Sequence, residues 1–238
     1  MGVPAGAPVP QYQRIVPPEK AEQRLKAFAM SVAIVRRCIE TGDTARLRVK
    51  NPPYPATYGG YTMWAETLTE WRRQMLKRRV GYAIGSTHGY ETLYCAQFGA
   101  AFTVVAGDAN TGIMGKRDPR PVRGRGPVTV KRVGRNREAS AKAGTPGVQG
   151  VLIGLPADPG LTIDEACDIW FLLVHPTRDE VRIELSRPIL MEGGLVTGYS
   201  ERILLPPVPI SGAVAPMVPD SGEDDGDDGG QLVGRQGS

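Results

Sequence analysis

Few side chains in this chain are equipped for covalent chemistry. Its 238 residues hold three cysteines, Cys38, Cys95 and Cys167, and two histidines, His88 and His175. A thiolate needs a neighbouring base to act as a nucleophile, so a Cys/His enzyme would require folding to bring Cys95 against His88 or His175. No cysteine pair has C-x-x-C spacing and no histidine sits at ligand spacing from a cysteine, so no metal site is indicated. Odd, scattered thiols fit a reducing compartment better than a disulfide scaffold. Asp164, Glu165 and Asp168 form a local acidic group, which the first turn of a short helix capped by Thr162 explains. The glycine-rich run from Gly107 to Lys116-Arg117 invites comparison with a phosphate-binding loop. That loop requires glycine where Asn110 stands and Ser or Thr where Arg117 stands, so nucleotide hydrolysis is not expected. The residues point to no enzyme, and no cofactor is expected.

Charge carries more information. The formal net charge is +4, but it is unevenly placed. Lys116, Arg117, Arg120, Arg123, Arg125, Lys131, Arg132, Arg135 and Arg137 lie within one stretch opposed only by Asp118. The C-terminal stretch instead holds Asp220, Glu223, Asp224, Asp225, Asp227 and Asp228 against Arg235. A dense basic segment attracts polyanions, because neutralising phosphates releases condensed counterions. Arginine suits this role, since its planar guanidinium both pairs with phosphate and stacks on bases. Between Arg120 and Pro127 arginine alternates with glycine and proline, which predicts an extended arm. A second cluster, Arg72, Arg73, Lys77, Arg78 and Arg79, crowds the end of a predicted helix and exceeds what dipole complementarity needs. These fourteen residues are the candidate nucleic-acid contacts.

The elements that must position them follow from periodicity. Leu25, Phe28, Val32, Val35 and Ile39 recur at helical spacing and predict a helix over 19–41 that stops at Gly42. Arg46-Leu-Arg-Val-Lys50 alternates as a strand. Trp64, Leu68, Trp71 and Met75 mark a second helix over 62–79, and the apolar stretch 90–106, with Tyr90 and Tyr94, reads as a third. Val128 to Val133 predicts a strand, as do 151–155, 169–174, 180–185 and 195–205, with turns at 176–179 and 193–194. The expected fold is α+β: two or three N-terminal helices packed with a C-terminal antiparallel β meander, with disordered termini. The expected divisions are a disordered Pro/Ala/Gly arm (1–17), a mainly helical half (18–106), a flexible basic connector (107–150), a β-rich half (151–205) and a disordered acidic tail (206–238). The N-terminus lacks a basic or apolar leader, and no apolar stretch approaches the roughly 18 residues of a membrane span, so no membrane partner is expected.

The layout resembles the proline-alanine-serine-rich RNA-coating proteins of polymycoviruses, which are fungal double-stranded RNA viruses. Met1 to Pro10, Lys116 to Arg137 and Pro206 to Ser238 carry the likeness, which is one of composition and charge placement. It implies a protein that coats genomic RNA without sequence preference. The leading expectation is therefore a sequence-nonspecific RNA-binding structural protein of coat or nucleoprotein type. It would be homo-oligomeric and cytoplasmic, within a virion or ribonucleoprotein. The alternative is an assembly protein whose basic arm docks acidic partners, its own tail included.

Overall fold

The computed structural model describes residues 14–115, 117–143 and 160–210. Among them are strand β1 (Arg14–Val16) and helices α1 (Pro18–Leu25), α2 (Val32–Arg48) and α3 (Tyr58–Lys77). Strands β2 (Tyr82–Thr87), β3 (Tyr90–Cys95) and β4 (Ala100–Ala106) follow, then α4 (Pro127–Ala143) and α5 (Ile163–Ala166). The chain continues through β5 (Asp168–Pro176), β6 (Glu180–Glu192), β7 (Leu195–Leu204) and β8 (Val208–Pro209). The chain is α+β, built on one eight-stranded sheet of order β1-β7-β6-β5-β4-β3-β2, with β8 also on β6.

The sheet is mixed, which corrects the expectation of a purely antiparallel C-terminal meander. Strands β5, β6 and β7 do pair antiparallel, but β4 joins β5 parallel and β1 joins β7 parallel. Parallel neighbours need a crossover that returns the chain along the sheet, and such crossovers are usually helical. Residues 107–167 supply it. The expected connector therefore contains α4, and the expected strand at Val128–Val133 is helical. Pro127 starts that helix, where a missing N–H costs nothing. Its buried stripe is Thr129, Arg132, Val133 and Asn136, spaced as one helical face but mostly polar, so an apolar-pattern reading does not see it.

The helices divide between the two faces. Phe102, Val104, Trp170, Leu172 and Val174 pack with α1, α2 and α3, while Ala101, Val105, Ile169, Phe171 and Leu173 lie on the other side with Val133 of α4. Central strand β5 is thus buried on both faces, which is why its apolar run is unbroken. Phe102 joins the layers, with its ring 5.3 Å from Phe28, 5.6 Å from Trp71 and 6.3 Å from Tyr82. Such pairs contribute about 0.5–1.5 kcal/mol each beyond the area they bury.

Several local expectations change. The helix expected over 19–41 breaks at Ala29, which takes a left-handed φ of 51°, and Ser31 caps a new helix by accepting from Ile34 N. Helix α2 then runs through Gly42 to Arg48, so Arg46–Lys50 is not a strand. Residues 90–106 form β3 and β4 rather than a helix, joined to β2 by the two-residue turn His88-Gly89, both at positive φ. Arg14–Val16 and Val208–Pro209, assigned to the disordered ends, are strands. The expected strand at 151–155, and most of both termini, lie outside the described residues. The capping box at Thr162 and Glu165 is present.

Gly42 is not a helix stop but the point where α2 and α3 touch. A Cβ there would stand 2.0 Å from Thr67 Oγ1 and 2.8 Å from the Met63 carbonyl, which is backbone and cannot swing away. Gly42→Ala is expected to destabilise the protein by about 1–3 kcal/mol in urea unfolding. Gly134→Ala, in mid-α4 with nothing within 4 Å of the added atom, is expected to stabilise it by up to about 1 kcal/mol. Equal unfolding midpoints for the two variants would contradict this packing.

Candidate functional site

The fourteen candidate cations divide into those engaged inside the fold and those left at its surface. Arg132 is 2% exposed, and its guanidinium grips Asp164 through contacts of 2.9 and 3.1 Å while Thr92 Oγ1 donates to the same carboxylate. Arg135 donates to the Glu165 carbonyl. Arg72 reaches Glu91 at 2.7 Å and the carbonyls of Gly85 and Thr92, tacking α3 onto the β2–β3 hairpin. Arg73 pairs with Glu70. Arg132, Arg135 and Arg72 are thus engaged within the fold, whereas Arg73 stays exposed while making its ion pair. Sequence alone could not separate them, because an arginine beside a buried acid looks like any other until the strands are paired.

Arg117, Arg120, Arg123, Lys131 and Arg137, with Lys77, Arg78 and Arg79 at the end of α3, are exposed. Their side chains make no ion pair with another described residue. Arg125 is half-buried, with its Nε lacking a partner among the described residues, and burial lowers its pKa. Lys116 lies outside the described residues.

Residues 117–125, which overlap the extended arm expected over 120–127, are tied to the sheet. Val122 N donates to the Ala106 carbonyl at 2.9 Å, Asp108 N to Arg120 O at 2.9 Å, and Arg125 N to Gly194 O at 2.8 Å. Tyr199 Oη donates to the Pro119 carbonyl at 2.9 Å. Beneath them Arg202 and Glu184, both 0% exposed, form an ion pair at 2.7 Å. Arg202 also reaches Asp118 and the Ile113 carbonyl, while Glu184 accepts from Gly112 N at 2.9 Å. The segment is thereby laid along the end of β4 with the Arg120 and Arg123 side chains outward.

Beside it runs a row of aromatic rings, of which only Trp64 is marked by helical periodicity. Tyr58, Tyr61 and Trp64 sit three residues apart on the first turns of α3, hence on one face, and Tyr54 precedes them. Tyr54 and Tyr58 stack at 5.5 Å and 3°, Tyr58 and Tyr61 lie 6.5 Å apart, and Tyr61 and Trp64 5.6 Å apart. Tyr54, Tyr58 and Tyr61 are 45, 42 and 62% exposed. Trp64, expected wholly in the core, is only partly buried and borders the groove. Tyr58, Tyr61 and Trp64 of this row line a groove of about 670 Å³ together with Val104, Ala106, Val122, Arg123 and Arg125. The recoverable signal was the spacing of aromatics beginning in a proline-rich loop, masked because Tyr58-Gly-Gly-Tyr61 reads as a turn.

A second, polar cavity of about 370 Å³ lies beside Arg117, Arg120, Asp108 and Asp118. Tyr82, Tyr90 and Tyr94 all pack with the core. The described residues contain no cluster of three or more His, Cys, Asp or Glu able to hold a metal, and no helix among them is long and apolar enough to cross a membrane. Comparison with protein-family models, curated proteins and solved structures yields no match.

The Cys95–His pair does not form. Cys95 is level with Ala100 and so with Asp168, leaving His175 seven residues further along β5, roughly 23 Å away. His88 lies at the opposite end of β3, and Cys95 Sγ itself faces the Val80 carbonyl. Burial pushes the thiols of Cys38 and Cys167 up to about 12. A group raised this far stays protonated at neutral pH and is a poor nucleophile. In the native protein at pH 8, all three buried thiols are expected to resist iodoacetamide and to react only in denaturant. Rapid stoichiometric labelling of the native chain would contradict this packing.

Proposed function

We propose that the protein is a sequence-nonspecific RNA-binding structural protein, of viral coat or nucleoprotein type, that grips phosphates through surface cations. The observation that carries this reading is that Arg117, Arg120 and Arg123 are exposed, unpaired with any described acid, and carried on a segment fixed to the sheet. Arginines carried on a fixed backbone meet a phosphate chain without first ordering a flexible arm, so less of the Coulomb gain is lost to backbone entropy. Lys77, Arg78 and Arg79 form a separate exposed cluster at the far end of α3, about 30 Å along the helix from its first turn. Lys131 and Arg137 lie exposed on α4, which packs on the other face of the sheet.

The charge separation in the sequence favours a second reading, a homo-oligomeric assembly in which the acidic stretch 220–228 of one copy meets these arginines on another. Removing residues 220–238 distinguishes the two. RNA affinity rises in the first reading, because a competing polyanion is gone, and self-association collapses in the second.

The direct test replaces Arg117, Arg120 and Arg123 with Gln and follows RNA binding over a range of salt. Binding is expected to weaken equally for all sequences, and the slope of log K against log salt to shrink by roughly two. An unchanged affinity and slope would overturn this assignment.

A further inference from the structure

We infer that the groove between the α3 aromatics and the 122–125 segment is a seat for unpaired bases, so that the RNA held here is single-stranded. This rests on the RNA-binding reading above and specifies which form of the polymer this site takes.

The rings are the first reason. Three tyrosines between 42 and 62% exposed stand in a row, although each would gain by burial. Exposed stacked aromatics next to cations are the pattern of single-strand binders, where rings take base faces and the basic wall follows the backbone. The spacing also fixes the mode of contact. A base slotted between parallel rings needs about 7 Å between them, two contact distances, and the gaps of 5.5, 6.5 and 5.6 Å are all too narrow. Bases therefore lie against ring surfaces on the groove side, with exposed Arg123 on the other wall; Arg125 also lines the groove, but its half-buried charge interacts with Tyr90 and Tyr199. Arginine serves both sides of the contact there, pairing with phosphate and stacking on a base. A duplex cannot use this arrangement, because A-form helices keep their bases stacked inside.

The chemistry of the groove also selects its occupant. Proline-rich peptides dock on aromatic grooves too, and the chain has such a segment in Met1–Pro10. That segment carries no acid and so offers nothing to Arg123. The acidic stretch 220–228 offers charge but has no ring to lay on the tyrosines. Single-stranded RNA brings an anion and a flat aromatic in every repeat.

The test uses the full chain, a short oligouridylate and a blunt RNA duplex of equal length. Trp71 and Trp170 are buried at 0 and 4% exposure, so quenching of tryptophan emission on binding reports on Trp64. The oligouridylate is expected to quench it. Tyr58→Ala and Tyr61→Ala are each expected to weaken oligouridylate binding about ten-fold with no change in salt slope, because a stacked base is lost and no phosphate contact is. Tyr61→Phe keeps the ring and is expected to bind as the parent does, and duplex affinity is expected to be the same in all variants. Tyr61 is the most exposed of the three rings, so its truncation leaves the core intact. Oligouridylate affinity unchanged in both alanine variants, while the triple arginine variant still loses binding, would overturn the groove and leave the phosphate reading standing. Quenching of Trp64 by the peptide Met1–Pro10 but not by oligouridylate would also overturn it. A parent chain that binds neither polymer at low salt would remove both readings.

Discussion

The buried ion pair between Arg202 and Glu184 is the constraint from which the surface of this protein follows. Two charges at 0% exposure are costly to desolvate, and such a pair on its own is a weak source of stability. What it supplies is geometry. Arg202 has donors left over after Glu184 is satisfied, and they reach Asp118 and the Ile113 carbonyl. Glu184 has acceptor capacity left over, and it takes Gly112 N and Ser186 Oγ. Burial alone would lower the Arg202 pKa, but the hydrogen bonds and charge of Glu184 outweigh it and hold the group above its ordinary value. The loop after β4 is thus bolted to strands β6 and β7, and a segment whose composition predicts an extended arm becomes one wall of a groove.

The topology explains why that loop exists. Strands β4 and β5 are parallel, so the chain must travel back along the sheet between them, and α4 does this on the face away from α1–α3. Polar side chains hold the helix there. Asn136 donates to the carbonyls of Ile169 and Pro188 and accepts from Ile169 N, bonding across two strands at once, and Arg132 closes on Asp164. The basic stretch therefore has two populations that composition cannot separate. Arg132 and Arg135 fasten α4 to α5, whose Asp164 also accepts from Thr92 of β3, while Arg117, Arg120 and Arg123, on the approach to α4, remain outside.

Sequence revealed the parts of the fold in which hydrophobic pattern and structure obey the same period. Helix α3, strands β5 to β7, their turns and the Thr162 capping box belong to this group. It failed where another force decided. The α4 stripe of Thr129, Arg132 and Asn136 is polar because its contacts are hydrogen bonds, so no apolar period marks it. The β2–β3 hairpin turns on His88-Gly89 instead of the more recognisable Asn-Gly. Strand β4 is buried on both faces and reads as easily as a helix. Gly42 looked like a helix stop because the clearance demanded by Thr67 comes from another helix. The charged segment was legible as a candidate site, but its opposing wall was not, since Tyr58, Tyr61 and Trp64 meet Arg123 only after β4 and α3 have been packed together.

Ultraviolet irradiation of the full-length protein bound to oligouridylate, followed by mass-spectrometric mapping of the linked residues, tests the central claim most directly. Direct photolinks form only where a base touches a side chain, so the map reports contact and not mere affinity. The account requires links at Tyr58, Tyr61 or Trp64. Links that include none of these three residues would contradict it.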